Sequence, residues 1–396
     1  MKLPHLLLFL VFIAPLASAL DTHSAAVKSK SNDCKWPALS IEKNFEGGAF
    51  AHCQQLSASE YQLDIHPENT PINPSPWYGF KVSPSANTDV NIKIDYSEFS
   101  HKHRYWPKAS VDGKQWYPLP ENSVALSSDK QSVWLHLGKI NKPVWIAAQP
   151  ILSNTDYDKW LKQISKGSDS VSIKSVGVSV GKRPINELSF IEDTSNPYFV
   201  ILGRQHPPEL TGAFALQAFV DRISQSDELA TAFRRKFNVL VYPNINPDGV
   251  ALGYWRHNLN GVDLNRDWKH FKQPETKAVI QAIKQQVTPS KLLTMIDFHS
   301  TNKDVFYTQR DSDYGKFANF TREWFEQINH EQSAIAFTRE ASRRPENTTS
   351  KTYFFNTYGI PATTYELNDT STPANVKIAG TVSAETFMKW WLANTN

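Results

Sequence analysis

Tyr198-Phe199-Val200-Ile201-Leu202 runs straight into Gly203-Arg204-Gln205-His206-Pro207-Pro208-Glu209, and this passage decides the fold. The first five residues have the β-branched and aromatic content of a buried strand. Leu210 to Ser226 then carries helical periodicity. His206 and Glu209 therefore stand where a strand passes into a helix, which is where open α/β sheets keep their ligands. An imidazole nitrogen and a carboxylate oxygen three residues apart on such a turn can both reach one zinc ion, at about 2.0–2.2 Å each. The spacing alone leaves a second reading open, a surface histidine beside an unrelated glutamate.

Outward from this passage the same alternation continues. Before it, helical periodicity covers Asp156 to Lys166, and strands are expected over Val171–Val180 and Leu188–Glu192. After it come a strand at Asn238–Tyr242, a helix at Pro274–Gln286, a strand at Leu292–Asp297, a helix at Tyr314–Asn329, a strand at Ala362–Glu366 and a closing helix at Ala374–Ala393. The pattern gives an α/β fold with a mixed twisted sheet and helices on both faces.

Ahead of about Pro150 the texture differs. Short alternating runs, among them Tyr61–Ile65, Tyr78–Val82, Val90–Asp95, Val133–Leu137 and Val144–Ala147, are broken by Pro, Asn, Ser and Gly. They read as an antiparallel β-sandwich. Its aromatics (Trp77, Tyr78, Phe80, Tyr105 and Trp134 among them) alternate with polar residues, which favours core packing over a carbohydrate-binding face. Asp112-Gly113 marks a hairpin turn. The expected organisation is a signal peptide over 1–19, a sandwich domain over 20–152 and an α/β domain with His206 and Glu209 over 153–396.

At 396 residues, 40% hydrophobic and 12% aromatic, the chain is a folded protein with room for two cores. A formal charge of +3 without a run of like charges gives no basic arm, so no nucleic-acid partner is expected. Lys2 and His5, the apolar stretch Leu6–Ile13 and Ala17-Ser18-Ala19 have the form of a secretory signal. No later apolar run suffices for a membrane span in the mature chain, so a secreted or periplasmic protein is expected. In such a compartment Cys34 and Cys53, the only cysteines, would form a disulfide. Asn319, Asn347 and Asn368 begin glycosylation triplets that matter only in a eukaryotic secretory pathway.

His299, just past the apolar strand 292–297, is the best candidate for a third ligand. Two histidines and a glutamate leave one zinc position open, as catalytic sites do. Between the ligands lie Asn246-Pro247-Asp248-Gly249-Val250, then Arg256, then Asp263-Leu264-Asn265-Arg266-Asp267-Trp268. Together with Tyr365-Glu366-Leu367, and in this order, these motifs resemble the zinc carboxypeptidase (funnelin) family. Their spacing is nearer to the cytosolic carboxypeptidases than to the digestive enzymes. The resemblance covers residues 153–396 strongly and 35–150 loosely.

That resemblance implies one Zn2+ held by His206, Glu209 and His299, with Asp263 orienting the His206 ring. It implies that Asn265 and Arg266 dock the free carboxylate of a peptide or protein C-terminus, the expected partner. Arg256 would stabilise the oxyanion, and Glu366 would be the general base toward a zinc-activated water. The chain departs from the family at Pro208, where the digestive enzymes have an arginine. It departs again at Ser342-Arg343-Arg344-Pro345-Glu346, where a substrate-covering tyrosine is usual. Arg343 or Arg344 is read as reaching an acidic group of the substrate, while Tyr353 and Tyr358 are read as structural. The function expected is that of an exported metallocarboxypeptidase. A muropeptide carboxypeptidase of the cell wall, a deacylase of N-acyl amino acids and a non-catalytic peptide-binding protein are the alternatives.

Overall fold

The computed structural model describes residues 34–166, 170–315 and 317–395, so the signal expected over 1–19 lies outside the described residues. Its N-terminal part contains β1 (Leu39–Glu42), β2 (His52–Gln55), β3 (Glu60–Asp64), β4 (Gly79–Pro84), β5 (Thr88–Asp95), β6 (Lys108–Ser110), β7 (Tyr117–Pro118), β8 (Val124–Leu126), β9 (Ser132–Ile140) and β10 (Val144–Ala147). They form two five-stranded sheets, β1-β4-β10-β6-β7 and β2-β3-β5-β9-β8. Phe80, Val82 and Ile146 of the first sheet share one core with Tyr61, Leu63, Ile92, Ile94 and Leu135 of the second. One pair departs from the antiparallel expectation: β3 runs parallel to β5, Tyr61 opposite Ile92. The chain between them crosses to the other sheet as β4 and returns, and a crossover of that kind brings a strand back in its original direction.

Trp77, Tyr78, Phe80, Tyr96 and Tyr105 are buried in this core, while Trp106 and Tyr117 are exposed. Tyr117 belongs to the β6–β7 hairpin, whose turn contains Asp112 and Gly113. Cys34 and Cys53 are joined in a disulfide.

The second part comprises α1 (Asn154–Ile164), β11 (Val171–Val178), β12 (Pro184–Phe190), β13 (Tyr198–Gly203), α2 (Leu210–Ile223), α3 (Glu228–Lys236), β14 (Asn238–Tyr242), α4 (Pro247–Leu252), α5 (Pro274–Gln286), β15 (Leu292–Thr301), β16 (Val305–Thr308), α6 (Phe320–Glu331), β17 (Thr338–Ala341), α7 (Ser350–Tyr358), β18 (Ala362–Asn368) and α8 (Pro373–Asn394). An eight-stranded sheet has the order β11-β12-β14-β13-β15-β18-β16-β17. Its centre, β14-β13-β15-β18, is parallel, and β11, β12 and β16 add antiparallel pairs.

Strand β13 shows why its sequence is an unbroken apolar run. Phe199 and Ile201 pack into a core with residues of α2, α6 and α8, whereas Tyr198, Val200 and Leu202 pack into another with residues of α5 and α7. Both faces are covered, so period-two alternation distributes apolar side chains to each. The helix expected from Tyr314 starts only at Phe320, and α3, α4, α7, β16 and β17 were not anticipated. In α7, threonine, asparagine and aromatics outnumber strong helix formers, and packing of Phe354 overrides propensity.

Helix α2 approaches β15 backbone to backbone. A Cβ on Gly212 would lie 2.3 Å from the His299 carbonyl oxygen, so only glycine allows the first turn of α2 to rest there. Replacing Gly212 with valine is expected to destabilise the fold by about 3 kcal/mol through overpacking. Urea unfolding measures this, and a variant as stable as the native chain would contradict the close approach.

Candidate active site

Three segments meet at the C-terminal ends of β13, β15 and β18. Just past β13, Arg204 adopts a left-handed backbone with φ of 52°. Its side chain ties the following turn down, Nε donating to the Pro207 carbonyl at 2.7 Å and Nη1 to the Tyr157 hydroxyl at 3.3 Å. The turn delivers His206 and leaves Glu209 at the N-cap position of α2. On β15, Asp297 and His299 are two residues apart and so share a face. The parallel register then sets Glu366 of β18 directly beside His299.

His206, Glu209 and His299 are all buried, and their ligand atoms lie within 4.8 Å of one another. Nδ1 of His206 is 2.8 Å from Glu209 Oε1, and Nδ1 of His299 is 2.7 Å from Glu209 Oε2. The other ring nitrogens face carboxylates: His206 Nε2 is 3.0 Å from Asp263 Oδ1, and His299 Nε2 is 3.0 Å from Asp297 Oδ2. Asp263 and Asp297 can hold the Nε2 protons, which would leave both Nδ1 lone pairs free to face a metal ion once the proton shared with Glu209 is gone. Two imidazole nitrogens and one carboxylate oxygen are a donor set suited to zinc. Beside them Glu366 lines the same cleft, and its Oε2 is buried without a hydrogen-bond partner among the described residues.

The electrostatics are those of a tightly balanced cluster. Burial opposes ionisation of Glu209, yet His206 and His299 hold its carboxyl well below the usual range. Burial likewise opposes a charge on His299, but Asp297 and Glu209 hold the imidazole well above its ordinary value. A metal ion must therefore displace a proton there. Glu366 is pushed up to about 7, first by burial and then by the charge of Glu209.

The remaining residues named from the sequence fall around this centre. Asp263 bridges two of them, since its Oδ2 accepts from Arg256 Nε at 2.8 Å while Oδ1 serves His206. Burial resists its ionisation, but His206, Arg256 and Arg266 keep its carboxyl far below the ordinary range. Arg256 is buried against the cleft, and Arg266 is exposed on it, with Nη1 donating to the Asn265 carbonyl at 2.9 Å. Asn265 is more committed to the protein than expected. Its Oδ1 accepts from the Ser350 amide at 2.9 Å, and its Nδ2 lies 3.3 Å from His299 Nε2. From the arginine pair, Arg344 lines the cleft, whereas the Arg343 guanidinium lies over the Phe355 ring at 5.9 Å. Tyr353 packs edge-on against Phe271.

Two carboxylates escaped the sequence reading. Asp297 orients His299 and also accepts from Gln205 Nε2 at 2.6 Å and from the Ser350 hydroxyl. Its position two before His299 on a strand was the signal available. Glu68 of the sandwich part accepts from the amides of Trp255, Arg256 and His257 at 2.7–2.9 Å. Nothing local in the sequence marks a partner that far away. Arg104 and Ser75 extend the cleft, about 390 Å³ in volume, onto the sandwich.

Residues 157–386, more than half of the chain, match the zinc carboxypeptidase family, and residues 41–147 match the domain described as cytosolic carboxypeptidase N-terminal domain. The chain belongs to the zinc carboxypeptidase family, whose members are peptide hydrolases that use Zn2+. Human cytosolic carboxypeptidase 6 is 24% identical over 296 residues, which are 66% of this chain and 57% of that protein. Its mouse counterpart is 23% identical over 277 residues, 63% of this chain and 49% of that protein. The chain thus spans about half to three-fifths of the length of these relatives. A metallo-carboxypeptidase from Burkholderia cenocepacia superposes with a TM-score of 0.74 at 17% identity, covering 89% of this chain and 98% of that one. At that identity the likeness is one of fold.

These matches correct the expectation of a secreted or periplasmic protein. The N-terminal domain and the relatives are both named for cytosolic carboxypeptidases, which points to the cytosol and away from secretion. The expectation rested on residues 1–19 alone. No helix of the described residues is long and apolar enough to cross a membrane.

Asp297→Asn keeps the shape of the side chain but weakens its hold on the His299 proton. Zinc affinity is expected to fall about 10–100-fold. Competition with a chromophoric chelator measures it, and an unchanged affinity would rule out the orienting role.

Proposed function

We propose that this chain is a metallocarboxypeptidase that removes residues from the free C-terminus of peptides, with Glu366 as general base. One observation carries the reading: Glu366 stands beside His299 in register, its Oε2 unpartnered among the described residues and its carboxyl raised, facing the His206–Glu209–His299 group. His206, Glu209 and His299 would hold zinc, which when bound supplies Lewis-acid activation of water and of the scissile carbonyl.

The chain's own groups do the rest. Arg266, exposed on the cleft, offers a planar fork to the substrate's terminal carboxylate and so selects a chain end. Arg256 places its charge where the scissile oxygen becomes anionic, and Asp263 holds it there through Nε. Glu366 takes the proton from the attacking water and passes it to the leaving amine. A non-catalytic peptide binder would have no use for a carboxylate beside the ligands whose buried Oε2 lacks a partner among the described residues, and the cell-wall substrate presupposed export.

Glu366→Gln is expected to retain zinc and lose about 10²–10⁴-fold in kcat on peptides with a free C-terminus. Wild-type activity should disappear on chelation and return with zinc. Full activity of the metal-loaded Gln variant would remove Glu366 as the base.

The cleft also favours an acidic substrate end. Arg104, Arg256, Arg266, Arg344 and Lys351 line it against Glu209, Glu340 and Glu366. Burial and the neighbouring Arg344 lower Lys351 to about 8. Arg344→Ala should reduce kcat/KM for glutamate-ending peptides by about 10-fold or more while sparing neutral ones, the size expected for a lost charge-assisted contact. An unchanged ratio between the two peptide sets would count against this preference.

A further inference from the structure

The segment that carries Arg256 has its backbone held by the other domain. Glu68 follows β3 in the sandwich, and its side chain is only 3% exposed. Oε2 accepts from the Trp255 amide at 2.8 Å, while Oε1 accepts from the Arg256 amide at 2.9 Å and the His257 amide at 2.7 Å. Three successive amides on one carboxylate make a compact anion cradle, and charge-assisted bonds of this kind are stronger than neutral ones. The flanking contacts fix the same segment. Asn69 Oδ1 is 2.6 Å from His257 Nδ1, and Asn69 Nδ2 donates to the Gly261 carbonyl at 3.3 Å. Trp255 is buried in the sandwich core.

From Glu68 a continuous path leads to the reacting centre. It fixes the backbone of Arg256; Arg256 Nε bonds Asp263 Oδ2; Asp263 Oδ1 bonds His206 Nε2. No residue of the second part supplies these amides with an alternative acceptor among the described residues. We infer that Glu68 is a positioning residue for catalysis, supplied by the sandwich domain, which sets the Arg256 guanidinium against the scissile carbonyl. The inference rests on the oxyanion role proposed for Arg256.

It gives the sandwich a part in the chemical step. A displacement of Arg256 by about 1 Å would cost transition-state contact without changing how the C-terminal carboxylate is bound at Arg266. The loss should therefore appear in kcat and not in KM.

The test is a double-mutant cycle on the full-length zinc-loaded chain, with a peptide substrate of free C-terminus. Glu68→Gln is expected to lower kcat about 100-fold with KM within about twofold and zinc content unchanged. The pair Glu68→Gln with Arg256→Ala should be no slower than Arg256→Ala alone, because both remove one contact. Glu68→Asp, which keeps the charge, should recover part of the loss. If Glu68→Gln does not fold, a kcat loss at constant KM in Glu68→Asp supports the inference and an unaltered kcat overturns it. Multiplicative losses in the double variant would also overturn it, since Glu68 would then act independently of Arg256. Should Arg256→Ala alone keep full kcat, the oxyanion role itself fails, an outcome separable from the others.

Discussion

A carboxylate buried between two imidazoles is the constraint on which the rest of this structure depends. Glu209 has left water, and an unpaired charge there would cost several kcal/mol. It is tolerated because His206 and His299 each bring a ring nitrogen within 2.8 Å of its oxygens. Those histidines need acceptors in turn, and Asp263 and Asp297 provide them. Each partner thus requires another, and the series stops only at groups that the fold holds by backbone amides or fixed side chains. Gln205 and Ser350 close it on one side, Arg256 on the other. A metal ion would replace the shared proton at the centre while leaving the outer acceptors in place.

The sheet makes this cluster geometrically possible. Parallel strands β13, β15 and β18 end at one edge, so residues distant in sequence arrive on the same side at the strand spacing. His299 and Glu366 are register partners, and Leu202 at the end of β13 is level with Asp297. The close rest of α2 on β15, which Gly212 permits, brings Glu209 to His299. Had α2 been held a side chain further away, the carboxylate would reach only His206. The position of the site is therefore a consequence of strand register and one missing Cβ.

Much of this was legible in the sequence because the informative signals are local. The strand Tyr198–Leu202, the turn with His206 and Glu209, and the helix after it are contiguous, and their periods differ sharply. Asn265 was legible as a cleft residue, but not its amide's commitment to Ser350, because that partner sits 85 positions later. Glu68 was invisible for the same reason, lying 188 positions from Arg256. Short elements such as β16, β17 and α7 depend on tertiary packing more than on propensity, and pattern reading passes over them. The localisation misreading had a different origin. A short apolar N-terminal stretch is a compositional signal that lies outside the described residues, and the domain match outweighs it.

The boundary between the two parts is equally a matter of burial. Leu210 and Ala213 of α2, together with Trp255, lie in the core that fills the sandwich, so the two parts share apolar surface. Polar ties cross at the same place: Arg104 donates to Asp369 Oδ2 at 2.7 and 3.0 Å, and Gln149 Nε2 donates to the Asp369 carbonyl at 2.8 Å. Asp369 comes three residues after Glu366, and Leu210 directly follows Glu209. The sandwich therefore braces the chain on the far side of both the ligand turn and the proposed base, while Glu68 braces Arg256 between them. Three elements of the centre, at Glu209, Arg256 and Glu366, are each backed by the same neighbouring domain. A site that must hold a guanidinium, a carboxylate and two imidazoles at contact distance needs support on the side the sheet does not cover, and the sandwich occupies that side.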